Sequence, residues 1–97
     1  MAKLMEDDDD CSFEGLPVRI SDSAMIHLRK EHISPLTLCD MLASTFDCPK
    51  RKKTGRPFRK DSRRVCSNRK GRTYNIILDF YESNGTGYWS VSHLEPI

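Results

Sequence analysis

The chain has 97 residues and a mass of 11.2 kDa, which suits one domain and is too short for an enzyme with a separate cofactor domain. Hydrophobic residues make up 37% of it and charged residues 31%, a polar composition that is still sufficient for a small core. It has no apolar run of the about 20 residues that a membrane-spanning helix needs, and its first ten residues, MAKLMEDDDD, do not resemble a secretory signal. We therefore expect a cytoplasmic protein with no membrane partner.

The net charge of +2 conceals a strong asymmetry along the chain. Residues 50–72 contain five Lys and seven Arg against one acid, a net charge of +11, which leaves −9 for the rest of the chain. Five of those negative charges form one run, Glu6–Asp10. A basic centre and an acidic end indicate an anionic partner, or contact between these two segments of the chain.

The chain has four cysteines and no C-x-x-C pair: Cys11, Cys39, Cys48 and Cys66. In a secreted chain of this length an even number would indicate disulfides, whereas without a signal sequence reduced thiols are expected. The alternative is a zinc site that combines cysteines with His27, His32 or His93. We expect no metal and no cofactor.

In chain order, the pattern predicts a disordered acidic tail over residues 1–15 and a single domain over residues 16–97. The domain begins with a short extended piece, PVRI, and a two-turn helix capped by one of the three residues at positions 21–23. Ser34 and Pro35 then mark the start of a second helix, which should end before Pro49. A basic loop is expected over residues 49–62, because prolines and Gly55 interrupt it.

From residue 62 the apolar period changes to two, which predicts strands over 64–67, 73–81 and 88–94. On the last strand, Trp89 and His93 are both odd-numbered and should share a face. The predicted fold is α+β, with two short N-terminal helices packed on a three-stranded antiparallel β-meander. The opposite sheet face or its rim would be open to a partner.

Two segments of the chain resemble the BrnT-type toxins and related small domain families of unknown function. Ala24, Leu28, Ile33 and Ser34 fit the family's helical pattern HAxxRxxxRGIS, and residues 63–94 resemble its closing meander. The resemblance covers roughly residues 18–95 and implies a RelE-like fold. For the toxins it also implies mRNA cleavage without a metal, controlled by an antitoxin protein.

The chain departs from that family pattern at several positions. Ser23 replaces the family's helix-1 histidine, His27 replaces its arginine, and Glu31-His32 replaces its Arg-Gly pair. Leu94 occupies the place of a cation near the end of the last strand. These departures weaken a direct transfer of toxin activity.

Metal-free RNA cleavage needs a base for the proton of the 2′-OH and cations that stabilise the extra charge on the phosphate. Histidine suits the first role and arginine the second. The candidate catalytic residues are His93, Arg64, Arg72 and His27. Asp79 would orient His93 if the strand register placed them side by side. The candidate nucleic-acid-binding residues are ten further cations: Lys50, Arg51, Lys52, Lys53, Arg56, Arg59, Lys60, Arg63, Arg69 and Lys70.

We therefore interpret the chain as an RNA-binding protein that resembles the metal-independent mRNA endoribonuclease toxins of toxin–antitoxin systems. RNA and an antitoxin are the expected partners, and a homodimer stays open. One alternative is a non-catalytic nucleic-acid-binding module, because a basic run more often binds phosphate or faces solvent than takes part in chemistry. Another is a protein-interaction module in which the acidic tail covers the basic loop. Tyr74 and Trp89 are expected in the core, although exposed aromatic rings can stack on unpaired bases.

Overall fold

The computed structural model describes residues 11–48 and 61–97. Its elements in chain order are β1 (Ser12–Phe13), β2 (Leu16–Ile20), α1 (Asp22–Lys30), α2 (Pro35–Leu42), β3 (Ser62–Arg69), β4 (Arg72–Ser83) and β5 (Thr86–Pro96). The strands form one sheet in the order β1-β2-β5-β4-β3. The pair β2–β5 is parallel and the other three pairs are antiparallel. No helix in the described ranges is long and apolar enough to cross a membrane.

The predicted three-stranded antiparallel meander is wrong, because the sheet has five strands and is mixed. The α+β character and the two helices are confirmed. The extended piece before α1 is a true strand, with Val18 opposite Trp89 and Ile20 opposite Val91 in parallel register. This pairing joins two ends of the chain about 70 residues apart, so no local pattern in the sequence could reveal it.

The start of the folded part also differs from the prediction of a tail over residues 1–15. Residues 12 and 13 pair with β2, and Phe13 is buried with its ring centroid 5.8 Å from that of Trp89. Glu14 and Gly15 have positive φ angles of 52° and 82°, which form the tight turn into β2. The domain therefore includes residues 11–15, and residues 1–10 lie outside the described residues.

The helices begin at two of the serines that the sequence offered as caps. The side-chain oxygen of Ser21 accepts a hydrogen bond from the backbone N–H of Ala24 at 3.1 Å. The side-chain oxygen of Ser34 likewise accepts from the N–H of Thr37 at 3.1 Å, with proline in the first turn of α2. Each serine satisfies an N–H group that has no partner inside its own helix.

α1 ends in a left-handed turn at His32, whose φ angle is 59°. The N–H of the next residue, Ile33, bonds back to the carbonyl of Leu28 at 2.9 Å, and the Ile33 side chain is buried. This is the usual hydrogen-bonding pattern where a helix stops at a residue with positive φ. The backbone at His32 thus explains the sharp turn from α1 to α2.

The core lies between the helices and one face of the sheet, which we call the inner face. All five strands and both helices contribute side chains to it. They include Val18, Leu28, Leu38, Val65, Tyr74, Ile76, Leu78, Trp89, Val91 and Leu94. Tyr74 and Trp89 are both in this core, as expected. Trp89 packs its ring 5.5 Å from that of Phe80, centroid to centroid.

The sheet curls, so that a side chain of edge strand β3 reaches the turn that follows β1. Arg63, which lies opposite Leu78 on the inner face of β3, reaches across to Glu14 beside β1. Its Nη1 is 2.7 Å from the Oε1 of Glu14, and its guanidinium lies 5.6 Å from the ring centroid of Phe13. The contact closes one end of the core.

A β-bulge interrupts the pairing of β4 and β5. Leu78 lies opposite Val91 and Ile77 lies opposite His93, so Ser92 is an extra residue on β5. A bulge reverses the alternation of faces beyond it. Trp89 therefore faces the core while His93 faces the other side, and the prediction that they share a face is wrong.

All four cysteines are paired in disulfides, so the expectation of reduced thiols is wrong. Cys11 is bonded to Cys39, with Cα atoms 5.3 Å apart, and Cys48 is bonded to Cys66, with Cα atoms 5.0 Å apart. The second disulfide follows from the path of the chain after α2. Phe46 exchanges two backbone hydrogen bonds of 2.9 Å with Cys66 at the edge of β3, which brings residue 48 onto the sheet.

Candidate functional site

The face of the sheet away from the helices, here called the outer face, holds the candidate site. Residues directly opposite each other on paired strands point to the same face. The side chains that the register assigns to it include Arg19, Ser62, Arg64, Cys66, Asn75, Ile77, Asp79, Tyr81, Tyr88, Ser90, His93 and Glu95. Two of the four candidate catalytic residues, Arg64 and His93, are among them.

The bulge in β5 also positions α1. The pairing of β2 with β5 ends at Val91, whose carbonyl accepts from the N–H of Ser21 at 3.1 Å. In the first turn of α1, Ser23 Oγ donates to the carbonyl of the bulge residue Ser92 at 3.5 Å. One turn further along the same helix face is His27. The helix therefore runs beside the part of β5 that carries His93.

Two candidate catalytic histidines meet there. The ring centroids of His27 and His93 are 4.4 Å apart, and the ring planes are inclined by 68°. Both side chains are only partly buried, and that of His93 keeps 32% of its exposure. Two imidazoles in contact at the surface can act on the same bound group, one accepting and one donating a proton.

The carboxylate beside His93 is not the one that the sequence suggested. Asp79 lies opposite Ser90 and accepts a hydrogen bond of 2.5 Å from Ser62 Oγ. The carboxylate of Glu95, instead, lies with its Oε1 3.0 Å from the Nε2 of His93. Sequence reasoning missed Glu95 because the predicted last strand ended at residue 94, whereas β5 continues to Pro96 and its alternation puts residues 93 and 95 on one face.

Arg64 occupies the same cross-strand row as His93, with Ile77 between them. Each neighbouring pair of strands is about 4.8 Å apart, so the two Cα atoms are about 10 Å apart. The Nε of Arg64 donates to Asn75 Oδ1, while its Nη2 is buried without a hydrogen bond in the described part of the chain. A buried N–H of this kind is out of reach of a bound phosphate, so Arg64 would act on an anion in this row through its positive charge.

The described basic residues do not gather into one surface. Arg63 and Arg72 lie on the inner side and pair with Glu14 and Glu31, the latter pair at 3.3 Å. Arg69 lies opposite Arg72 at the end of the β3–β4 hairpin, and Lys70 is in its turn. Arg72 thus pairs with a residue one helical turn beyond His27, at the end of α1, whereas Arg63 and Arg69 have the opposite parity to Arg64 on β3 and face the other side of the sheet.

The remaining seven basic candidates lie outside the described residues: Lys50, Arg51, Lys52, Lys53, Arg56, Arg59 and Lys60. The residues on either side of that segment are described. Cys48 is bonded to Cys66, and the carbonyl of Asp61 accepts from the N–H of Phe80 at 3.0 Å. Both attachment points are on β3 or next to it, on either side of Arg64 along the strand.

A stack of three side chains lies elsewhere on the outer face. The rings of Tyr81 and Tyr88, which are directly opposite on β4 and β5, have centroids 5.7 Å apart and planes inclined by 23°. The Arg19 guanidinium carbon is 4.9 Å from the centroid of Tyr88. The alternation along β4 predicts that Tyr81 lies on this face. Which side chains lie next to it depends on the register between β4 and β5, which the sequence does not give.

A groove of about 320 Å³ beside the Cys11–Cys39 disulfide is lined mainly by apolar atoms of β2 and α2, including Ile20 and Leu36. It contains none of the three histidines, so it is separate from the candidate site. Within the two described ranges, no three His, Cys, Asp or Glu side chains are grouped as metal ligands would be.

Comparisons of the chain with protein-family models, with curated proteins and with solved structures find no match. The resemblance to the BrnT-type toxins therefore rests on the sequence pattern alone. The function must be argued from the side chains of the outer face.

Proposed function

We propose that the protein binds RNA on the outer face of its sheet and cleaves the strand there without a metal ion. The contact between His27 and His93, in the same region of the sheet as Arg64, is the observation that carries this proposal. RNA contains its own nucleophile, the 2′-OH, so a site needs only proton transfer and charge stabilisation to cleave it. An imidazole pair and a guanidinium are suited to those tasks.

The contact with Glu95 suggests how the two histidines divide the work. A carboxylate at His93 Nε2 holds the proton on that nitrogen and leaves Nδ1 as the acceptor. His93 Nδ1 then takes the proton from the 2′-OH, and the resulting oxygen forms a bond to the phosphorus. The bond from phosphorus to the 5′-oxygen breaks, and protonated His27 gives its proton to that oxygen. The products are a 2′,3′-cyclic phosphate and a 5′-hydroxyl end.

Arg64 supplies the positive charge for the phosphate in this scheme. Its Nε contact with Asn75 orients the guanidinium, whose positive charge lies in the same cross-strand row as His93. The net charge of +11 over residues 50–72 favours the approach of a polyanion to the protein.

Cleavage is tested with purified protein, single-stranded RNA and excess EDTA. We expect cleavage of RNA but not of DNA of the same sequence, because DNA lacks the 2′-OH. His93→Ala and His27→Ala should each lower the rate by about 10²- to 10⁴-fold, the usual contribution of a positioned acid or base. His32→Asn is the matched control. Asparagine tolerates the positive φ at that position, and His32 is an exposed histidine that the proposed scheme does not use.

The outcomes separate the proposal from its alternatives. Salt-dependent RNA binding without cleavage would favour a non-catalytic nucleic-acid-binding module. No binding at low salt would refute both RNA functions and leave a protein-interaction module, with an acidic antitoxin as the partner that the resemblance implies. Equal rates for wild type and His93→Ala would refute the role of His93.

The predicted cytoplasmic location is opposed by the two disulfides. Disulfides persist in oxidising compartments and are rare in the cytosol outside hyperthermophiles. Cells are quenched with acid and the unfolded protein is labelled with a maleimide before any reductant is added, so that buried cysteines also react. Four labelled cysteines would support the cytoplasm, and none would support an oxidising compartment.

A further inference from the structure

The stack of Arg19, Tyr88 and Tyr81 is the strongest feature of the outer face that the proposed cleavage does not use. β2 and β4 lie on either side of β5, so Arg19 and Tyr81 approach Tyr88 from opposite sides. The three planar groups thus follow one another across three strands. Tyr81 is four residues from Ile77 along β4, which places it about 13 Å from the row of His93 and Arg64.

The stack is not part of the hydrophobic core. On its inner face the same hairpin packs the partly buried Phe80 against the buried Trp89, with ring centroids 5.5 Å apart. On the outer face, Tyr81 keeps 39% of its exposure. The pairing of the two strands is therefore already supported from the inner side, and the outer rings expose aromatic surface next to a cation.

We propose that Tyr81, Tyr88 and Arg19 form a subsite that stacks an unpaired base of the RNA strand bound at His93 and Arg64. This inference rests on the proposed function and adds the class of ligand: single-stranded RNA, held by its bases as well as its phosphates. Aromatic and guanidinium planes are the surfaces on which unpaired bases stack, and every base has a face that fits them. Arg19 also attracts the polyanion to this end of the sheet.

The test compares two labelled decamers of equal length and charge, one of 2′-O-methyluridine and one of abasic 2′-O-methyl sugar phosphate. Neither can be cleaved, because the 2′-oxygen is blocked. Fluorescence anisotropy at fixed salt gives the dissociation constant for each. We expect wild type to bind the uridine decamer at least about fivefold more tightly, since one stacked base contributes a factor of about 5 to more than 100.

Tyr81→Leu should remove that preference and leave the affinity for the abasic decamer unchanged. Tyr81→Phe should keep the preference, because the ring remains. Leu36→Ala, which removes an exposed apolar side chain from α2, is the control and should behave as wild type. Circular dichroism verifies that each variant is folded.

The two proposals fail in distinguishable ways. If wild type binds both decamers equally well, RNA binding stands and the stacking subsite is refuted. If wild type binds neither decamer at low salt, the proposed function itself is refuted. An equal loss of affinity for both decamers in a folded Tyr81→Leu protein would also refute base stacking, because that result assigns Tyr81 to the phosphate contacts.

Discussion

Removal of the Cys48–Cys66 disulfide should cost a large part of the stability of this domain. The two cysteines are 18 residues apart in sequence. Closing a loop of that length removes about 11 cal/mol/K of entropy from the unfolded chain, which corresponds to about 3.2 kcal/mol at 25 °C. A domain of this size has about 5–15 kcal/mol in total. The loss is therefore a sizeable fraction of its free energy of unfolding.

The measurement is urea unfolding followed by circular dichroism, for wild type and for the double variant Cys48→Ala/Cys66→Ala. A loss of about 3.2 kcal/mol should lower the midpoint by about 1–3 M urea, given the usual dependence of stability on urea for small proteins. The variant Cys11→Ala/Cys39→Ala is the comparison. Its loop spans 28 residues, so the same relation predicts that its free energy of unfolding falls by about 3.6 kcal/mol.

The alanine variants lose sulfur atoms from the core as well as the disulfide. Reduction of wild type breaks the disulfides without that loss, so it is the control. It should lower the midpoint of wild type to about that of a variant lacking both disulfides, and it should not affect that variant. An unchanged midpoint for Cys48→Ala/Cys66→Ala would contradict the reasoning. So would a wild-type midpoint that does not respond to a reductant under conditions where the unfolded chain is fully reduced.

Three further substitutions test separate parts of the fold by the same unfolding assay. Ser34→Ala should cost about 1 kcal/mol, because it removes the acceptor for the N–H of Thr37, and no loss would mean that water replaces the cap. Gly87→Ala should cost about 1–3 kcal/mol, since its Cβ would lie 2.8 Å from two ring carbons of Phe80; a neutral result would mean that the ring moves freely. Arg63→Gln should cost less than about 1 kcal/mol, because the ion pair is nearly half exposed, and a larger loss would show that it fixes the curl of the sheet.

Local features of this chain could be predicted from its sequence. The two capping serines and the proline at the start of α2 act within one helical turn, and the alternation on β4 follows from one strand alone. The parallel pairing of β2 could not be predicted, because the alternating pattern of a five-residue strand is too short to indicate which other strand it pairs with. The disulfides were missed because their prediction was tied to an assumed compartment and not to the geometry of the fold.

The candidate site was predicted in part. Three of its residues, His27, His93 and Arg64, were selected for their chemistry, and the structure places the histidines in contact. Glu95 was missed because the predicted last strand ended one residue before it, and the tyrosine stack was missed because it depends on which residues face each other across two strands. A single inserted residue in β5 shifts that register, and nothing in the local sequence around Ser92 marks it.

The bulge at Ser92 lets Val91 and Leu94 both face the core although three residues separate them. Regular alternation through Ser92 would turn the histidine inward and Leu94 towards solvent, whereas deleting Ser92 would make the strand regular and leave both side chains on their present faces. The same deletion would remove the carbonyl that receives Ser23, and with it an attachment of α1. One residue of insertion thus supplies an acceptor for the first helix next to His93, so its loss would loosen that helix without reversing the strand.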